Sequence, residues 1–264
     1  MKYSFDAKNH IHTLDGKPLI GTSTCTKIVA KPLTWWAAGM AVEKFGWVNP
    51  KKNSPESVKT ALFDGYSKVM GLSIEKYGEL LSEAYRAHND VKNKKAEEGT
   101  DMHALLEQFV RNAIANPAWK TAFYEGPTPL AQFARWAQAN VNRFLWSELN
   151  CFSKWHWIGG ISDLGIEMND GKWLVGDFKS SKEAYMDQFW QCGLYDLQIS
   201  AHGGYTPDGK KVFRMPKGKK FDGYVVFPFG AEKLEPKFVW DVKGIRKASR
   251  QVIGLYKQSQ KFAN

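Results

Sequence analysis

The chain has 264 residues and a mass of 30.0 kDa, long enough to bury most of its apolar surface without a metal or disulfide to hold it together. Hydrophobic residues at 43% and charged residues at 24% are ordinary for a soluble globular protein, and three widely spaced cysteines (Cys25, Cys151, Cys192) argue against a disulfide framework and offer no C-x-x-C pair for zinc or an iron-sulfur cluster. The formal net charge is +10, and residues 201–264 carry nine of those charges, with fourteen Lys or Arg against five acids; such a face suits a polyanion, nucleic acid above all, or is simply solubilising.

In chain order, Tyr3 to Val29 reads as short strands and turns, with Asp15-Gly16 as a hairpin signal. Leu33 to Phe45, preceded by Pro32, is a candidate helix, and Ser54-Pro55-Glu56 is a capped helix start leading towards Met70. Ser73 to Ala115 reads as one or two long helices and Pro129 to Leu149 as another, with Pro117, Pro127 and Pro129 at the breaks. Strands follow at Trp155 to Met168 and Lys172 to Ser180, then a helix over Lys182 to Ser200, strands at Phe221 to Phe229 and Lys237 to Val242, and a final amphipathic helix to Lys261. In that helix Ile245, Ser249, Val252, Ile253 and Tyr256 face inward. Between Ala201 and Lys220 lies a Gly- and Lys-rich hairpin or loop.

The fold class is therefore α/β. One domain spans 1–264, with a largely helical lobe at 33–149 ahead of a mixed sheet flanked by helices and closed by a basic helix at 150–264. The start of the chain lacks the features of a signal peptide and no apolar run is long enough to span a membrane, so a cytoplasmic protein without a membrane partner is expected. The many aromatics, 11 Trp and 16 Phe among them, serve as core or as stacking platforms for bases.

The most informative segment is the hairpin around Asn169-Asp170-Gly171. If these three residues form the loop, Met168 pairs with Lys172 and Asp163 falls opposite Asp177 on one face of the sheet. A two-residue loop would shift the register and send Asp177 to the other face. Facing carboxylates repel unless a cation or proton neutralises them, and the apolar residues on both faces of this hairpin suggest burial. Lys179, two residues on, points to the same side as Asp177.

Gly159-Gly160-Ile161-Ser162-Asp163, then Asp177-Phe178-Lys179, then Gln191-Cys192-Gly193-Leu194-Tyr195 resemble the G-x-x-D, D-x-K and Q-x-x-x-Y series of the PD-(D/E)XK nucleases, in the branch of RecB-type exonucleases. Gly99-Thr100-Asp101-Met102-His103 matches the upstream metal-binding histidine of that branch, and Glu148 fills the place of an acid before the first strand, or is a plain surface acid. The resemblance covers residues 97–200, and Thr22 to Ala37 more loosely.

It implies a restriction-endonuclease-like sheet and a site in which His103, Asp163, Asp177 and the backbone carbonyl of Phe178 hold Mg²⁺ or Mn²⁺. Lys179 would position or help deprotonate the attacking water, and Gln191 and Tyr195 would contact the scissile phosphate. The implied activity is a metal-dependent DNA exonuclease leaving 5′-phosphate and 3′-hydroxyl ends, in recombination, repair or phage DNA processing, and acting on ends or single strands. A flap or branch endonuclease and a catalytically inactive binding module are the alternatives, and RNA is left open. Without the cysteine cluster of some branches, the chain is closer to the iron-sulfur-free exonucleases of phage type, which would act in the host cytoplasm. Lys210, Lys211, Lys217, Lys219 and Lys220 are expected to follow the phosphate backbone.

Overall fold

The computed structural model describes residues 1–30, 34–126 and 128–262, apart from the side chains of residues 94–98. Two compact units divide the chain, Lys31–Glu98 and a larger one made of Met1–Ala30 with Gly99–Asn264. Residues 99–149, grouped from the sequence with the helical lobe, thus belong with the sheet.

The larger unit opens with β1 (Tyr3–Asp6), β2 (Ile11–Leu14) and β3 (Lys17–Pro18), a small antiparallel sheet. Asp15 and Gly16 turn β2 into β3 with φ of 51° and 76°, the pair of positive angles that a tight two-residue hairpin needs. After β4 (Ile20–Gly21) the strands stop, and Thr22–Thr26 forms a short helix α1, followed by a 3-10 turn at Lys27–Val29. The expectation of strands and turns to Val29 fails here for a tertiary reason: the buried Thr22 hydroxyl donates to the Gly159 carbonyl at 3.0 Å, which overrides the strand preference of its threonines.

In the smaller unit, α2 (Thr34–Glu43) lies where a helix is expected, while Pro32 and Leu33 lie outside the described residues. α3 (Pro55–Met70) starts at Ser54, whose hydroxyl accepts from the Ser57 N–H, with Pro55 in the first turn. One helix, α4 (Ile74–Ala115), takes up the segment expected to be helical from Ile74 onward, and its residues from Gly99 belong to the larger unit.

There it is followed by α5 (Thr128–Asn140), with Pro127 outside the described residues. The helix does not continue to Leu149: β5 (Val141–Ser153) begins at once, so Glu148 sits within a strand instead of ahead of one. β6 (Ile158–Met168) and β7 (Trp173–Lys179) form the central hairpin, α6 (Met186–His202) crosses the sheet, β8 (Gly204–Tyr205) and β9 (Lys211–Phe213) make the lysine-rich excursion a hairpin, and β10 (Gly223–Pro228), β11 (Lys237–Val239) and α7 (Val242–Phe262) complete the unit.

The mixed main sheet runs β11-β10-β7-β6-β5-β8-β9, with β4 pairing in parallel with β6. β10 lies parallel to β7, as a crossover through α6 requires, and the other pairings are antiparallel. One face packs Leu164, Ile166, Leu174, Phe178 and Phe227 against α4 and α5 through Leu106, Phe109 and Phe133. The other packs Trp173, Val175, Tyr224 and Val226 against α6 through Phe189, Cys192 and Tyr195.

α7 closes over α6. Ile245, Ser249, Val252 and Ile253 are buried as its spacing predicts, and Tyr256 is half-buried against the same cluster. Arg246 donates twice to the buried Asp196 at 2.6 and 2.5 Å, and Asp196 also accepts from Tyr224 at 2.6 Å and Ser200 at 2.8 Å. That fully bonded cluster ties α7, α6 and β10 together.

Candidate active site

Three adjacent strands bring three carboxylates to one level of the sheet. The β6–β7 ladder pairs Glu167 with Trp173, Ile166 with Leu174, Gly165 with Val175 and Leu164 with Gly176. This is the register of a three-residue loop, closed by the Met168 N–H donating to the Lys172 carbonyl at 2.8 Å, and Asp163 and Asp177 are the next positions along it. On the other flank of β6, Ser147 pairs with Leu164 and Leu149 with Ser162, which sets Glu148 across from Asp163. Glu148 has φ of 49°, a left-handed conformation that costs a residue with a side chain about 1 kcal/mol or more.

The Asp163 carboxylate bridges β7 and α4. Its Oδ2 accepts from the Phe178 N–H at 2.8 Å and stands 3.1 Å from His103 Nε2. The histidine is delivered by the approach of α4 at Gly99, one turn earlier, where a Cβ would come within 2.9 Å of the Ser180 Cβ. A glycine there lets the helix press on the chain just after β7. One turn beyond His103, Glu107 joins it, and His103, Glu107 and Glu148 offer ligand atoms within 4.8 Å of one another. Glu107 escaped the sequence reading, although its spacing of four from His103 was the available signal.

Asp177 is fully buried, and Lys179 Nζ lies 2.5 Å from its Oδ2. The two make an ion pair by distance, yet neither Asp177 oxygen receives an aligned hydrogen bond, and Glu148 Oε1 is also buried without a partner. Buried carboxylate oxygens left this way are costly, and oxygen ligands grouped with a histidine are the donor set of a divalent cation.

The titration of the group reflects the same excess of negative charge. Burial pushes Asp177 up to about 7, with Lys179 opposing and Asp163 adding to the rise. Burial and the neighbouring Asp163 likewise push Glu148 up to about 8. Burial alone would lower His103, but Asp163, Glu148 and Asp177 hold it at about 9. Burial works against ionised Asp163 too, yet His103, Lys179 and the Phe178 N–H keep its carboxyl below the usual range. Burial opposes the charge on Lys179, and Asp177 and Asp163 more than offset it, so the ammonium stays protonated.

Gln191 and Tyr195 share one face of α6, where Gln191 Nε2 donates to the Tyr195 hydroxyl at 2.7 Å. Burial, then Asp177 and Asp163, keep that phenol neutral. Gly160 makes room for this packing, since a Cβ there would fall 2.4 Å from Thr22 Oγ1 and 2.9 Å from Tyr195 Cε1. Gln198 Nε2 donates to Thr22 Oγ1 at 2.8 Å, tying α1 to the same helix.

The lysines of the excursion are spread out. Lys219 Nζ donates to the Gly171 carbonyl at 3.1 Å and covers the Trp173 ring, at the opposite end of β7 from Asp177. Six residues separate Gly171 from Asp177, about 20 Å along a strand. Lys211 is closer to the acids: it pairs with Tyr205, which pairs with Asn150, two residues from Glu148. Lys210, Lys217 and Lys220 are exposed.

No protein-family model matches the chain, and no curated protein does either. Among the described residues no helix is long and apolar enough to cross a membrane.

Proposed function

We propose that the chain is a divalent-metal-dependent deoxyribonuclease of restriction-endonuclease-like fold, similar to the RecB-type PD-(D/E)XK exonucleases, and that it hydrolyses phosphodiester bonds to 5′-phosphate and 3′-hydroxyl ends. The observation that carries this reading is Asp177, a wholly buried carboxylate whose two oxygens lack aligned donors, level with Asp163 and beside Lys179.

His103, Asp163, Asp177 and the Phe178 carbonyl are the residues that would hold Mg²⁺ or Mn²⁺, with Glu148 and Glu107 at the histidine side. A bound ion would supply a water of lowered pKa and positive charge facing the phosphate. The Lys179 ammonium, kept protonated by its two carboxylates, orients the attacking water and donates to the developing charge; its charge state favours orienting over deprotonating. The neutral Tyr195 phenol, aligned by Gln191, donates towards the phosphate. The water oxygen bonds to phosphorus as it gives up a proton to solvent, the bond from phosphorus to the 3′ oxygen breaks, and that oxygen leaves as a hydroxyl after taking a proton from solvent water.

The test is to incubate the protein with Mg²⁺, and separately with EDTA, on covalently closed single-stranded circles and on linear strands labelled at either end. Metal-dependent digestion of linear DNA alone is expected. Equal cutting of circles would make it an endonuclease on the same site, and no cleavage with either Mg²⁺ or Mn²⁺ would sink the proposal.

A further inference from the structure

Several lysines of the larger unit are matched by acids: Lys172 pairs with Asp170, Lys219 with Asp222, and Lys233 and Lys237 with Glu235. Four cations around the turn between β5 and β6 are not. Among the described residues Lys154, Lys211, Arg250 and Lys257 have no carboxylate partner.

Ring contacts join this region into one surface. Lys154 Nζ lies 4.3 Å from the centre of the Trp155 ring, and Trp155 meets His202 at 6.5 Å. His202 stacks on Phe152 at 4.8 Å, Phe152 meets Tyr205 at 5.1 Å, and Lys211 Nζ covers the Tyr205 ring at 5.2 Å. Burial and then Lys154 and Lys211 hold the His202 imidazole below its ordinary value, and burial with Arg250 and Lys257 of α7 does the same to His156. The charges that reach these two rings are all cations. Acids on the same elements stand elsewhere: α7 and the turn have none, Asp187 is in the first turn of α6 and His202 in its last, and Asp196 is buried against Arg246. Asp208 accepts from Thr206 on the β8–β9 hairpin, where Lys210 and Lys211 outnumber it.

We infer that the turn between β5 and β6 is a binding surface for single-stranded nucleic acid, with an unpaired base stacked on Trp155 and the neighbouring phosphates held by Lys154, Lys211, Arg250 and Lys257. Trp155 is 72% exposed, which leaves its indole open to a flat partner, and aromatic platforms set in a basic surface are how unpaired strands are held. The bases of a duplex are already stacked on one another. The turn is also fixed in advance. Trp157 adopts φ of 59°, a conformation rare for a bulky residue, and its indole N–H donates to the Pro18 carbonyl at 2.9 Å, while the His156 N–H donates to Ser153 Oγ at 3.3 Å. A platform that is already ordered loses less entropy on binding. On β6, Ile158 precedes Asp163 by five residues, about 17 Å along a strand. Use of the surface to guide a strand towards the acid row rests on the nuclease reading; its affinity for a strand does not.

The measurement is the affinity of the full chain for fluorescein-labelled oligothymidylate in EDTA, by anisotropy. The parent is expected to bind the single strand more tightly than a blunt duplex of equal length. Trp155→Ala should lose about tenfold, Trp155→Phe should keep most of the affinity, and an abasic strand should bind the parent and Trp155→Ala alike. Lys154→Ala combined with Lys211→Ala should lower the log-log salt slope by roughly 0.7 for each phosphate released. Parental melting of each variant checks its fold, and oligouridylate tells RNA from DNA as the source of the strand. Parental affinity in Trp155→Ala overturns the inference, and so does an equal loss on the abasic strand. Trp155-dependent binding to phosphatidylserine vesicles without binding to the oligonucleotide overturns it in favour of a lipid surface. Binding that depends on Trp155 in a protein without cleavage keeps this surface and removes the nuclease, whereas cleavage by a protein whose strand binding ignores Trp155 does the reverse.

Discussion

Lys179 Nζ stands 2.5 Å from Asp177 Oδ2 as a buried ion pair. One side chain brings a ligand charge and the other a donor, so the two have separable jobs. Asp177→Asn keeps the shape and removes a ligand charge, so calorimetry should show weak Mn²⁺ binding and cleavage should collapse, while DNA binding in EDTA is kept or improved. Lys179→Ala should retain metal binding and lose about a hundredfold or more in turnover. Near-parental cleavage by either variant would show the site to be drawn wrongly.

The same pair predicts a pH dependence of stability without metal. Asp177 has a folded pKa raised to about 7 from 3.8, so it binds its proton more tightly in the folded state. Its contribution is fully present below pH 4 and is lost as pH rises through 7. In EDTA, Asp177→Asn should therefore melt higher than the parent at pH 8, with the gap closing at pH 5. A gap that does not shrink on acidification would mean that Asp177 ionises freely in the folded protein.

His103→Ala should raise the Mn²⁺ concentration needed for activity by tenfold or more, and in EDTA at neutral pH it should also lower melting, because it removes the cation that offsets the acid row, a loss that shrinks as pH rises through about 9. Glu107→Gln should move the metal requirement the same way by a smaller factor. If the metal response of both variants is parental and only His103→Ala melts early, the histidine is a packing residue.

Gly99→Ala places a methyl 2.9 Å from the Ser180 Cβ and should push α4 away from β7. Turnover is expected to fall more than stability. Ser180→Gly in the same chain removes the obstacle and should restore much of the activity, which a double-mutant cycle measures. Additive losses would show that the two residues do not set the position of His103.

Neutralising Lys217, Lys219 and Lys220 should lower the log-log salt slope of DNA binding by roughly 0.7 to 0.9 for each phosphate left without its cation. The distance of Lys219 from Asp177 adds a length condition: oligonucleotides too short to span about 20 Å should bind the triple variant and the parent equally. An unchanged slope on long DNA would leave these lysines as solubilising groups.

Local chemistry made part of this legible in advance. Asn169-Asp170-Gly171 marked the hairpin and left two loop lengths open, of which the structure has the three-residue one that levels Asp163 with Asp177, and the spacing in α7 named its buried residues. The strand β5 was misread as the end of a helix because Val141, Phe144 and Leu145 have helical spacing. In the structure two register shifts, between Val141 and Arg143 and between Phe144 and Trp146, break the alternation that marks a strand. Glu148 accordingly looked peripheral although it stands in the acid row. The separation of Lys219 from Asp177 had no local signal, since it depends on which end of β7 the excursion returns to.

The clasp between Arg246 and Asp196 puts an order on the making of the molecule. α6 leaves the ribosome with a carboxylate that has no counter-charge until α7 has followed it some fifty residues later. Ser249 then settles where Gly193 leaves room, between Gln191 and Tyr195. A nascent chain that already carries every acid of the row still lacks the helix that covers α6, so under the proposed nuclease reading hydrolysis would begin only after release of the C-terminal helix.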